Sequence, residues 1–234
     1  MQLFYSKAIS DQDTSFTFSK EESKHIVKVL RKKTNDTLYV TNGTGTIYTC
    51  KVTLAHDKNC MVTITEKTQQ EQPKYNLHIA IAPTKMNDRY EWFLEKATEI
   101  GISEITPIIC DHSERKVVKL ERFSKILESA MKQSLNCYLP ILNEPIPFKQ
   151  FVAQDFDAVK YIAHCEETDK VSLKQALKPN TNILILIGPE GDFSTKEIEL
   201  SIAEKFQPVT LGETRLRTET AGIVACHSVA FVNE

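Results

Sequence analysis

Two short glycine-bearing segments near the end of the chain hold the residues best suited to chemistry. Ile187-Gly188-Pro189-Glu190-Gly191-Asp192 follows an aliphatic run, and Leu211-Gly212-Glu213-Thr214-Arg215-Leu216-Arg217-Thr218-Glu219-Thr220-Ala221 follows a second. The chain has only seven glycines, and Gly188, Gly191 and Gly212 fall where backbone must turn sharply or approach a ligand closely. Ser194-Thr195-Lys196-Glu197 reads as a capping box, so a strand, a glycine loop and a helix N-terminus form a ligand cradle. In the second segment Thr218 serves as an N-cap and Glu219 complements the helix dipole. Those local duties leave Arg215 and Arg217 unexplained beside a sheet edge. No G-x-G-x-x-G, G-x-x-x-x-G-K-[ST] or G-x-S-x-G pattern is present, which argues against a dinucleotide site, a P-loop and an acyl-transfer hydrolase.

The elements around these loops are legible from periodicity. Residues 77–83, 105–110, 158–164, 183–187 and 209–211 read as strands, with helices between them and at the C-terminus. One helix opens at an Asp88-Arg89-Tyr90-Glu91 capping box, presents Tyr90, Phe93, Leu94, Ala97 and Ile100 on one face and closes at Gly101. Another spans 120–135, with Phe123, Leu127, Ala130 and Met131 at helical spacing. Alternation of this kind predicts a mostly parallel sheet covered on both faces, with ligands at the carboxyl ends of its strands. Upstream the rhythm differs. Residues 37–41, 47–54 and 61–65 are strand-like, Asn42-Gly43 marks a hairpin, and Ser19-Lys20-Glu21-Glu22 opens a helix carrying Ile26, Val27, Val29 and Leu30. These predict a small β-barrel with one helix. The polar stretch 66–74 reads as a linker.

Composition narrows the function classes. With 29 Lys and Arg against 31 Asp and Glu, the net charge of −2 lacks the footprint of a strongly nucleic-acid-binding domain, so any polyanion site is a local patch. Basic clusters occur at Lys24, His25, Lys28, Arg31, Lys32 and Lys33 and around Arg115, Lys116, Lys119, Arg122 and Lys125. The longest aliphatic run is far short of a membrane span, and no export signal opens the chain, so a cytoplasmic protein is expected. The six cysteines are scattered without C-x-x-C spacing and read as buried thiols, and no metal is expected. The single Trp92 reads as core or dimer surface.

Taken in order, His25-x-x-x-Val29-Leu30-Arg31, Lys85-x-x-x-Arg89-x-Glu91, Lys96-Ala97-Thr98-Glu99-Ile100-Gly101, His112-Ser113-Glu114-Arg115 and the two glycine segments resemble the RsmE family. These are 16S (small-subunit) ribosomal RNA uracil-N3 methyltransferases of the SPOUT superfamily. The resemblance implies an α/β fold: a small N-terminal PUA-like β-barrel (1–70) that helps hold RNA, and a C-terminal SPOUT domain (74–234) with a mostly parallel sheet and a trefoil knot. It further implies S-adenosylmethionine as cofactor, 16S rRNA in the assembled small subunit as partner, and a homodimer. Two positions depart from the family pattern: Asp192 stands where Gly-Pro-Glu-Gly-Gly has its last glycine, and Leu135-Asn136 stands where Gly-Arg often follows Glu-Gln-Ser.

On this resemblance Ile187, Gly188, Pro189, Glu190, Gly191, Leu211, Gly212, Leu216 and Thr220 are the expected cofactor-binding residues. His25, Arg31, Lys85, Arg89 and Arg115 are the expected RNA contacts. Uracil N3 carries a proton that must leave, so a cation for the anion and a base are needed. Arg217 is the expected anion stabiliser, because guanidinium offers a fixed fork of donors. Glu219 is the candidate base, although a helix N-terminus favours its ionised form and makes water or an RNA group a competing acceptor. The competing readings are a SPOUT enzyme acting on a ribose 2′-hydroxyl or a tRNA base, and a non-catalytic RNA-binding protein.

Overall fold

The structure, a computed structural model, describes residues 1–234. It divides into two units, Met1–Gln72 with Met131–Leu139, and Pro73–Ala130 with Pro140–Glu234.

The first unit is built on a five-stranded sheet of β1 (Leu3–Tyr5), β2 (Ser15–Thr17), β3 (Thr37–Thr41), β4 (Thr46–Leu54) and β5 (Met61–Gln69), ordered β1-β3-β4-β5-β2. Only β1 and β3 pair in parallel. Leu38, Val40, Tyr48, Cys50, Val52 and Val62 alternate into its core with Phe4, Phe18 and Ile26. The expected hairpin joins β3 and β4, with Gly43 and Gly45 at φ +78° and +99°. A side chain at 45 is excluded twice over, since a Cβ there would lie 2.3 Å from Gln69 and from Tyr138. Residues 66–69 are strand rather than linker. Their side chains are exposed, but pairing with β4 from Thr49 to Thr46 satisfies their backbone, and backbone pairing needs no apolar side chain.

Ser19 caps α1 (Lys20–Lys24) by accepting from the Glu22 amide at 3.2 Å. The helix does not continue as expected: His25–Val29 form a π-helical turn that ends at Leu30, and Arg31 follows at φ +55°.

In the second unit all strand pairs are parallel. The strands are β6 (Leu77–Ile81), β7 (Glu104–Ile109), β8 (Ile141–Leu142), β9 (Ile146–Pro147), β10 (Val159–Ala163), β11 (Val171–Ser172), β12 (Ile183–Ile187) and β13 (Gln207–Thr210). Their order is β11-β13-β10-β12-β6-β7-β8, with β9 also on β7. Every residue of the central β6 and β12 is buried, as strands covered on both faces require. The helices are α2 (Asn87–Ile100), α3 (Leu120–Ser134, whose residues from Met131 on belong to the first unit), α4 (Phe148–Val152), α5 (Leu173–Ala176), α6 (Thr195–Ala203) and α7 (Thr218–Asn233). Helix α7 packs on α2 and on β6 and β12. Phe148, Phe151, Phe193, Ile198 and Phe206 form a second layer with Leu184 and Leu186.

Two expected caps differ. Helix α2 starts after Met86 without a side-chain cap. Glu91 is drawn instead to Arg122, whose Nη2 donates to Glu91 Oε2 at 2.7 Å, a charge-assisted bond worth more than a neutral cap. Helix α7 is preceded by Arg217, in extended conformation at the N-cap position, because the Thr218 hydroxyl is used elsewhere. The capping box at α6 is present as expected, with Ser194 and Glu197 bonded reciprocally, and Gly101 ends α2 at φ +109°.

Candidate active site

Parallel register places the carboxyl ends of β6, β10, β12 and β13 along one edge of the sheet, with Ile81 beside Ile187, Ile187 beside Ala163 and Ala163 beside Val209. Four loops leave from that edge and are tied together. Thr218 Oγ1 donates to the Gly188 carbonyl at 3.0 Å, and Arg215 Nη2 reaches the Glu190 carbonyl at 3.4 Å, so the two glycine segments are joined directly. The Cys165 amide donates to Asp192 Oδ2 at 2.7 Å, which brings in the loop after β10. The Lys85 amide donates to Glu190 Oε1 at 2.9 Å, which brings in the loop after β6.

These loops enclose a cavity of about 250 Å³, walled by Ile187, Gly188, Pro189 and Glu190 on one side and Leu216 and Arg217 on the other. A second cavity of about 400 Å³ adjoins it through Ala163, Cys165 and Leu216 and is lined by Leu211 and Gly212. On the far side of residues 215–217 runs an open groove of about 690 Å³ carrying Arg89, Trp92, Glu219 and Thr220. Arg217 borders both the first cavity and the groove. Trp92, expected in core or dimer surface, is 44% exposed and lines that groove.

The glycines have separate reasons. A Cβ at Gly188 would stand 3.1 Å from the Phe193 ring, and one at Gly191 would stand 3.1 Å from His112 Cβ. Neither residue takes a positive φ, so both are glycine because the protein's own side chains press on them. Gly212 differs, with φ +149° and open space where a Cβ would be. Asp192 sits at φ +64°, a conformation asparagine and aspartate tolerate best after glycine. Its two carboxylate oxygens accept from the Phe193 and Cys165 amides at 2.9 and 2.7 Å, which offsets the backbone cost.

Charge at the edge is mixed. Glu219 is 6% exposed; its Oε1 lies 3.8 Å from Arg89 Nε and its Oε2 is buried with no hydrogen-bond partner. Glu190 Oε2 is likewise buried and unpaired. On the loop after β10, His164 is buried with neither ring nitrogen bonded. Burial, and next the Lys170 charge, hold its imidazole below its ordinary pKa.

Of the residues expected to bind cofactor, those at 187–190, 211, 212 and 216 line the two cavities. Thr220 faces the groove, and Gly191 is packed behind the loop against His112. Among the expected RNA contacts, Arg89 lines the groove and Lys85 is exposed, paired with Glu114 at 2.8 Å. The half-buried Arg115 donates to the Lys85 carbonyl at 2.7 Å and the Thr84 carbonyl at 3.1 Å. In the first unit His25 is half-buried, edge-on to Phe4 at 6.3 Å, and Arg31 is exposed. Sequence reasoning assigned no role to Arg215, which borders all three concavities, or to residues 163–165. The signal for the latter was present: the end of a buried parallel strand is where ligands sit.

An RNA methyltransferase domain family matches residues 70–230, and an RNA methyltransferase PUA domain family matches residues 18–65. The ribosomal RNA small subunit methyltransferase E of Buchnera aphidicola subsp. Acyrthosiphon pisum is 31% identical over 90% of this chain and 85% of its own. The crystal structure of a probable rRNA-methyltransferase from Porphyromonas gingivalis superposes with a TM-score of 0.93 at 39% identity, covering 100% of this chain and 98% of that one. A ribosomal RNA small subunit methyltransferase E from Neisseria gonorrhoeae, crystallised bound to S-adenosyl methionine, superposes with a TM-score of 0.87 at 25% identity over 100% and 98% of the two chains. With both domain families matched in order, the chain belongs to the ribosomal RNA small subunit methyltransferase E family.

Proposed function

We propose that this chain transfers a methyl group from S-adenosylmethionine to N3 of a uridine in 16S rRNA of the assembled small ribosomal subunit, working in the cytoplasm as a homodimer with its last loops knotted. The observation that carries this reading is the position of Arg217 on a wall shared by the cavity behind the glycine loops and the groove that holds Arg89 and Glu219. A donor on one side of that wall and a nucleobase on the other would meet across Arg215, Leu216 and Arg217.

The cavities suit the cofactor. Ile187, Leu216, Ala163 and Ala221 are apolar walls for adenosine and the methionine chain. The unpaired buried Glu190 Oε2 is a partner for a cationic group, and burying it unpaired costs stability that such a ligand restores. When bound, S-adenosylmethionine supplies an electrophilic methyl group on a sulfonium.

The chain's own residues would do the rest. The groove would hold the uracil with N3 towards the donor cavity, and positioning of that kind lowers the barrier of a displacement. Arg217 neutralises the charge that appears on the uracil as N3 loses its proton. Glu219, which lines the same groove and has an unpaired Oε2, is the acceptor for that proton, while Arg89 lies 3.8 Å from its Oε1. In the first unit Arg31 and the lysines around the π-helical turn would meet RNA phosphates, contacts that give affinity without reading bases.

Nucleoside mass analysis of small-subunit rRNA from cells with and without the gene tests the reading. Loss of N3-methyluridine supports it. Loss of a ribose-methylated nucleoside would move the acceptor to a 2′-hydroxyl, and an unchanged profile would leave only an RNA-binding protein.

A further inference from the structure

Resting on the reading of this edge as the methyl-donor site, we propose that His112 is a positioning residue that holds the loop after β12 in the shape the donor requires. Residues 110–115 leave β7 and cross to that loop. His112 Nδ1 lies 3.1 Å from the Gly191 carbonyl and 3.0 Å from the Asp192 carbonyl. Both partners are acceptors, so Nδ1 carries the hydrogen and donates to the two oxygens.

The contact is built from both sides. Gly191 is glycine because a Cβ there would press on His112 Cβ at 3.1 Å, not because its backbone needs a positive φ. The segment bearing His112 is itself anchored: the Asp111 amide donates to Glu197 Oε1 at 2.9 Å, Ser194 Oγ donates to Asp111 Oδ2 at 2.7 Å, and the Cys110 amide donates to Ser113 Oγ at 2.9 Å. A fixed donor therefore meets two successive carbonyls of a turn already closed by the Asp192 amide on the Pro189 carbonyl at 2.9 Å. The same turn presents Gly188, Pro189 and Glu190 to the cavity. His112 is exposed and touches that cavity nowhere, so it acts only through the loop.

Calorimetric titration of the full chain with S-adenosylmethionine, with steady-state kinetics beside it, tests this. His112→Ala should weaken binding and raise KM for the cofactor about tenfold, as expected when two modest hydrogen bonds are lost, while kcat at saturating cofactor stays within about twofold. His112→Asn keeps an amide N–H near the place of Nδ1 and should recover most of the affinity. Unchanged affinity in His112→Ala overturns the proposal, and so does an equal loss in both variants, because then donation to the carbonyls is not what matters. Should the unsubstituted protein bind no cofactor at all, the methyl-donor reading itself fails, a result distinct from either.

Discussion

The two glycine loops of the site are held in opposite ways. The loop after β12 is pinned from every side: by His112 and Asp192, by the Lys85 amide on Glu190, and by the Ser194–Glu197 capping box that follows it. The loop after β13 is mostly exposed from Gly212 to Arg215 and is held to its partner through Thr218 and Arg215. A wall that is pinned before any ligand arrives loses little entropy on binding. An exposed loop carrying two arginines can adjust around a ligand and bring charge to it. The first loop is thus suited to recognition and the second to the chemical step.

The sharpest separation should come from Arg217→Ala. If the second loop serves chemistry, turnover falls by about 10²–10³-fold, the usual cost of removing one charge-stabilising donor, with cofactor affinity within about threefold. Steady-state kinetics with direct binding measurement would break the comparison if affinity fell as far as turnover. Next in size is Gly188→Val, which forces a side chain against the Phe193 ring and amide. Overpacking of this kind should cost about 1–3 kcal/mol and lower cofactor affinity more than about tenfold; an unaltered melting temperature would show that the first loop is not rigid.

Thr218→Val removes the bond to the Gly188 carbonyl that joins the two loops and should destabilise by about 1 kcal/mol, read by chemical denaturation. The smallest effect concerns His164, on the loop after β10, which lines the cavity beside the loop after β13. Its imidazole is held below the ordinary value near 6.5, so the unfolded chain takes up that proton first as pH falls. Stability is then full above about pH 6.5 and declines below it. His78 is shifted the same way, by burial, so His164→Gln should flatten the decline only in part. A pH profile of stability identical in the variant would remove His164 from this role.

Features carried by neighbouring residues were readable in advance. The run 183–187 is the buried strand its composition indicates, Ser194 and Glu197 cap α6, and Gly101 closes α2. The two departures from the family pattern mark special backbone: Asp192 and Leu135 both take positive φ, +64° and +58°. Misreadings arose where a distant partner competed for the same group. Glu91 left its cap for Arg122, and Thr218 bonds Gly188 across thirty positions. The polar strand at 66–69 escaped notice because its exposed side chains carry no apolar alternation and its ladder is a matter of backbone groups.

Local periodicity and turn chemistry thus settled the longer strands and helices and several of the bends, because these depend on residues a few positions apart, whereas β1, β2, β8, β9 and β11, of two or three residues each, are too short to show a period. Folding alone decided that Met131–Leu139 joins the first unit, where Gly43 and Gly45 bond Leu139 and Cys137, and that His112 holds Gly191. The acceptors in those contacts are main-chain carbonyls, which every residue carries, so no pattern of side chains announces them.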